Sequence, residues 1–97
     1  MKRTPTEPIG NVLSRFFENH PQLADKIAET RLINHWQNAM GQSIARYTEQ
    51  IYIHRRTLYV QLKSAVLKNE LMMHRQKLII TLNEKAGRHV IDKIIFI

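Results

Sequence analysis

The chain has no cysteine, only three glycines and three prolines, and a single tryptophan among its 97 residues. Without cysteine there is no disulfide, no thiol nucleophile and no thiolate metal ligand, as expected of a protein kept in a reducing cytoplasm. No stretch approaches the roughly 20 apolar residues that a membrane-spanning helix requires. Acidic residues are scarce too: eight Asp and Glu stand against fifteen Lys and Arg. Met1-Lys2-Arg3 has the charge of a secretory leader, but Thr4, Pro5, Thr6, Glu7 and Pro8 fill the place of its apolar core, so secretion is not expected. No glycine-rich phosphate loop, nucleophile elbow or HExxH pattern is present. The expectation is a non-enzymatic chain with no catalytic residue, no cofactor and no small-molecule substrate.

What is there is one domain's worth of amphipathic segments. Residues 1–8 read as a flexible lead-in, with Pro8 suited to the first turn of a helix. Ile9, Val12, Leu13, Phe16 and Phe17 recur at helical spacing, giving a helix over 9–19 that His20-Pro21 interrupts. A second helix over 22–40 carries a drifting stripe of Leu23, Ile27, Leu32, Ile33, Trp36 and Met40. Asp25 and Glu29 fall on its wet side, and a bend is expected near Thr30. Gly41 ends it, and Ile44-Ala45 suggest a further helical turn or two before Glu49. Two alternating strands follow, Gln50–His54 and Thr57–Lys63. With Arg55-Arg56 at the tip, Ile53 pairs with Leu58, Ile51 with Val60 and Tyr52 with Tyr59, whether the loop is of two residues or four.

Ser64 is placed to cap one long helix that runs to Gly87. Its expected buried face holds Leu67, Leu71, Leu78 and Leu82, with Met72, Met73, Ile79 and Ala86 beside them. Val90 to Ile97 then reads as a strand apolar on both faces, which suits an interior strand or one covered by a partner. The fold class expected is α+β: N-terminal helices, an antiparallel hairpin, a long helix and a C-terminal strand over residues 9–97.

Candidate chemistry lies in the basic residues. Residues 1–48 hold six Lys/Arg against four Asp/Glu, and residues 49–97 nine against four. A basic excess of this kind attracts polyanions: nucleic acid, an anionic membrane or an acidic protein patch. Arg55 and Arg56 at the hairpin tip, Lys63 at the end of the second strand, and Lys68, Arg75 and Lys77 along the following helix are candidate phosphate contacts. Singly, each is more readily a solvated surface residue; the cluster carries the reading. Tyr52 and Tyr59 are candidates for stacking on unpaired bases, but are more readily a cross-strand pair that supports the hairpin or covers part of a second core. Trp36, on the apolar stripe, belongs to the core. His20, His35, His54, His74 and His89 sit in five separate segments without metal-ligand spacing, so no metal site is expected.

Taken together, Trp36-x4-Gly41-x2-Ile44-Ala45, the strand Leu58-Tyr59-Val60, Leu67-x2-Glu70-Leu71, and Leu82-Asn83 ahead of Gly87 resemble the DciA family over about residues 9–97. The resemblance implies a KH-like two-layer αββαβ domain that binds DNA and works with the replicative helicase at loading, without ATPase activity of its own. Two departures stand out. Arg55-Arg56 replaces an Asp-Gly-like turn, and no GxxG loop is present, so the KH mode of clamping nucleic acid is not carried over. The partners implied are single- or double-stranded DNA and the replicative helicase, with no membrane. The alternatives are a protein-interaction module without nucleic-acid binding and an RNA-binding KH-like protein. The sequence leaves the oligomeric state open.

Overall fold

The computed structural model describes residues 9–97, and the lead-in expected at 1–8, with Pro8, lies outside them. The elements are α1 (Ile9–Asn19), α2 (Pro21–Ala39), α3 (Gln42–Tyr47), β1 (Thr48–His54), β2 (Thr57–Leu62), α4 (Ala65–Met73), α5 (Arg75–Ala86) and β3 (Lys93–Phe96). The α+β class expected from the sequence is what forms. One sheet of order β1-β2-β3 has its inner face covered by α2, α4 and α5.

Helix α2 begins on Pro21, whose missing N–H falls where a helix has no internal acceptor to offer. It runs unbroken through Thr30, whose hydroxyl donates to the Lys26 carbonyl (3.0 Å). Its buried line is Ala24, Ala28, Leu32 and Trp36, one residue every fourth position. The expected stripe through Leu23 is therefore corrected: Leu23 is 44% exposed, and small alanines face inward where α2 packs against α5. Trp36 is fully buried, and its indole N–H donates to the Thr48 hydroxyl (3.2 Å), which itself donates to the Ile44 carbonyl (2.7 Å). These two bonds tie α2, α3 and the first residue of β1 together.

The hairpin pairs Ile51 with Val60, Tyr52 with Tyr59 and Ile53 with Leu58, as the alternation predicts. His54 pairs with Thr57, which leaves a two-residue turn of Arg55 (φ 49°) and Arg56 (φ 62°). Positive φ at both positions is the hairpin geometry that matches strand twist and usually selects Asn-Gly. For a residue that carries a Cβ it costs about 1–2 kcal/mol.

The single helix expected from Ser64 to Gly87 is two helices. The Ser64 side chain caps α4 by accepting from the Leu67 N–H (3.2 Å), and Gly87 at φ 90° closes α5 in the left-handed conformation. Between them the His74 N–H bonds to Leu71 O, three residues back, and the ladder restarts from His74 O to Leu78 N. The break lets α4 lie on β2 while α5 lies on α2, two surfaces that one straight rod does not follow. Leu71, Ile79, Leu82 and Ala86 are buried, whereas Met72 and Met73, expected inside, face solvent.

The last strand is shorter than expected and lies at the edge. Lys93–Phe96 pairs in parallel with β2, and the α4–α5 unit forms the crossover that a parallel pair requires. Ile94 and Phe96 enter the core, while Ile95 and Ile97 face outward; the interior position expected from an all-apolar run is not found. Val90 and Ile91 are buried ahead of the strand without joining the sheet.

Asn83 fixes that segment. Its side-chain oxygen accepts from Val90 N (2.9 Å) and Ile91 N (3.1 Å), and its amide donates to Ile91 O (2.9 Å). Asn83→Ala leaves three backbone groups unpaired in a half-buried site, and is expected to lower unfolding free energy by about 2–4 kcal/mol in urea titration. A loss under about 0.5 kcal/mol would show that water takes over those bonds.

Candidate nucleic-acid interface

Among the described residues no helix covers the outer face of the sheet. Its central row is Tyr52, Tyr59 and Ile95, aligned across all three strands by the register. The two tyrosine rings stack with centroids 4.9 Å apart and planes 13° from parallel. Tyr52 is 40% exposed and Ile95 42%, so a wet aromatic and apolar strip crosses the sheet. Above it, toward the hairpin turn, lies the row His54, Thr57 and Lys93. Arg55 projects from the turn beyond.

The candidate cations do not share one spot. Arg55 and Arg56 sit at one end of the hairpin and Lys63 just past the other, separated by the six residues of β2, about 20 Å of extended chain. Lys63 N–H bonds to Tyr47 O (2.9 Å), and Lys68 lies in the first turns of α4, so these two belong to the lower end. Arg75 and Lys77 follow the break at His74. Arg75 also lines a groove of about 270 Å³ with Lys93, Ile94 and Ile95, which brings it to the β3 edge. Arg55, Lys93 and Arg75 thus border the upper and β3 sides of the open face, and Lys63 and Lys68 its lower end. Among the described residues Arg55, Lys63, Lys68, Arg75 and Lys77 form no ion pair.

Arg56 differs. Its Nε donates to Asp92 Oδ2 (3.0 Å) and its terminal nitrogen to His89 O (3.0 Å), while Asp92 N–H donates to Arg56 O (2.7 Å). His89 Nε2 donates to the other Asp92 oxygen at 2.6 Å. The hairpin turn is latched to the loop that feeds β3. The His89 hydrogen bond first, and then Arg56, hold the Asp92 carboxyl below the usual carboxylate range. Sequence reading nominated Arg56 as a phosphate contact and missed Asp92, because the pair is 36 residues apart. Lys93 was missed as well; only the parallel pairing with Thr57 brings it beside the turn. Among the described residues no three His, Cys, Asp or Glu side chains gather as a metal site would need. None of the helices described is long and apolar enough to cross a membrane.

A family model described as Dna[CI] antecedent, DciA, matches residues 8–96. The chain belongs to the DciA family. That family is one of replication-related helicase loaders, which gives this member a replication accessory role. Neither the curated proteins nor the solved structures contain a significant match. The residues that carry the DciA likeness are mostly structural: Trp36, Leu58, Val60, Leu71 and Leu82 are core, and Asn83 holds the final loop.

Because Asp92 has a folded pKa below its unfolded value of about 3.9, its contribution is fully present above that value and lost as pH falls through the folded pKa. The melting temperature of Asp92→Asn should therefore lie below that of the native chain at pH 7. The gap should close as the solution is acidified below about pH 4. A gap independent of pH would mean that the latch does not depend on the carboxylate.

Proposed function

We propose that this DciA-family chain is a non-enzymatic, DNA-binding accessory of the replicative helicase, acting in the cytoplasm to assist its loading or operation. The observation that carries the DNA contact is the set of cations without ion pairs among the described residues, of which Arg55, Lys63, Lys68 and Arg75 border an open sheet face while Lys77 stands further along α5. Phosphates of a strand lying over the sheet meet Arg55, Lys93 and Arg75 along one border, and Lys63 and Lys68 at the other end. Neutralising phosphates releases condensed counterions, so affinity is steeply salt dependent. The Tyr52–Tyr59 pair and Ile95 offer an apolar strip on which unpaired bases can rest, which favours single-stranded over duplex DNA at that strip. Arg56 supports the site by holding the turn, and its charge is shared with Asp92.

The helicase contact falls elsewhere in this reading. Val12 and Leu13 on α1 and Leu23 at the start of α2 are exposed apolar residues. An apolar surface of that sort suits a protein partner better than a polyanion. The other reading, a protein-interaction module whose positive charge meets an acidic partner, predicts tight helicase binding with negligible DNA affinity at moderate salt.

Arg55 offers a clean test, because its charge sits on a strained backbone. Arg55→Gly should raise stability by about 0.5–1 kcal/mol by relieving the positive φ. It should simultaneously reduce the slope of log affinity against log salt by about 0.7–0.9. Titrations of single-stranded DNA, duplex DNA and RNA at several salt concentrations provide the measurement. An unchanged slope removes Arg55 from the site, and equal affinity of Tyr52→Ala and native chains for single strands removes the stacking strip.

A further inference from the structure

Strand β3 has one edge that nothing in the described fold pairs. Ile97, just past it, spends both backbone groups on β2: its N–H donates to Val60 O (2.8 Å) and its carbonyl accepts from Leu62 N (3.1 Å). Backbone groups alternate sides along an extended chain, so those of Ile95 also face β2, and those of Ile94 and Phe96 face the open edge. Among the described residues no hydrogen bond reaches the N–H or C=O of Ile94 or Phe96 from that side. Proteins usually blunt such an edge with charges, a proline or a bulge. Here Lys93 is the only charge in Lys93–Phe96, and the register with β2 is unbroken.

Beside this edge lies the groove of about 270 Å³ between the start of α5 and β3. Ile79, Ile94 and Ile95 give it apolar walls, while Arg75 and Lys93 bring two cations that form no ion pair among the described residues. The one acid that lines it, Asp92, is already engaged by Arg56 and His89. Pockets for small molecules begin at about 300 Å³, so the groove suits side chains of an extended segment better than a compact ligand.

We propose that β3 and this groove take up an extended acidic segment of a partner protein as a fourth strand. The free backbone groups of Ile94 and Phe96 complete a ladder with the segment, and its acidic side chains meet Arg75 and Lys93. A nucleic-acid strand offers no peptide ladder for those groups. A second copy of this chain is poorly matched, because its own edge strands β1 and β3 together carry a single acid, Glu49. Arg75 and Lys93 also stand on the border assigned to DNA phosphates, so an acidic strand seated here displaces DNA from that border. The strand site itself does not depend on DNA binding.

An eight-residue peptide of alternating glutamate and valine is the probe, since it offers an acid in either direction and either register. With the full chain, and the peptide about ten times above its dissociation constant, hydrogen exchange of the Ile94 and Phe96 amides should slow about tenfold by NMR. The same peptide N-methylated at its central glutamate and central valine keeps every side chain and charge but blocks both of its edges. It should bind at least about tenfold more weakly. Arg75→Glu with Lys93→Glu should also weaken the glutamate peptide at least about tenfold and bind the lysine–valine counterpart instead. Circular dichroism checks that this variant folds. Unchanged exchange at both amides overturns the proposal, and so does equal affinity for the methylated peptide, which would mean that the cations alone hold it. Slowed exchange that follows protein concentration without any peptide assigns the edge to a second copy and overturns the acidic partner. None of these readouts contains DNA, so a failure of the DNA reading, seen in the salt titrations, leaves them standing.

Discussion

The hydrogen bond from the Trp36 indole to Thr48 is the constraint on which the rest of this fold is arranged. Trp36 is wholly buried, and a buried indole N–H left unpaired costs on the order of 1–3 kcal/mol. The only way to keep the ring in the core is to bring an acceptor to it, and Thr48 is that acceptor. Thr48 in turn spends its own proton on Ile44, so the short α3 and the first residue of β1 are held at fixed positions relative to α2. From there the alternation of β1 follows. Ile51 and Ile53 turn toward the helices, and Tyr52 turns to the open face. The exposed tyrosine strip is thus set by a hydrogen bond made on the other side of the sheet.

A second constraint comes from small residues. Ala24 and Ala28 on α2 and Ala86 on α5 are buried, and with Gly87 they line a cavity of about 430 Å³ where the two helices meet. Following α2 there while also covering β2 is more than a single straight helix can do, and the chain resolves the conflict by breaking at His74. No proline or glycine marks the place. The break costs part of a helical turn, and the buried Leu71 on one side and Ile79 and Leu82 on the other recover it through packing. Its by-product is on the surface: Met72 and Met73, next to the break, are left in solvent.

The legible parts of this sequence were those governed by short-range rules. Hairpin register followed from strict alternation, the start of α4 from Ser64, the end of α5 from Gly87, and the interruption after α1 from Pro21. What sequence could not supply was long-range choice. Periodicity near residue 23 fits Leu23 or Ala24 equally well inward, and only the closeness of α5 decides for alanine. An apolar run at the terminus reads as interior until the sheet order shows β3 at the edge, with Ile95 and Ile97 outward. The candidate cations were visible as residue types, but their separation depends on β2 dividing Arg55 from Lys63. Arg56 was visible as a charge; its partner Asp92 was not.

Arg55 and Arg56 show how one local strain can serve two ends. Both residues adopt positive φ, a geometry that asparagine and glycine reach at far lower cost. Arg56 offsets that cost through Asp92 and the His89 carbonyl, anchoring the turn to the segment that leads into β3. With the turn held, Arg55 forms no ion pair among the described residues, and its guanidinium is left at the rim of the open face. A turn built from Asn-Gly would fold more easily and carry no charge there. Strain kept at a turn, with half of it recovered by a latch and the other half uncompensated, is accounted for when the uncompensated side chain meets something outside the chain.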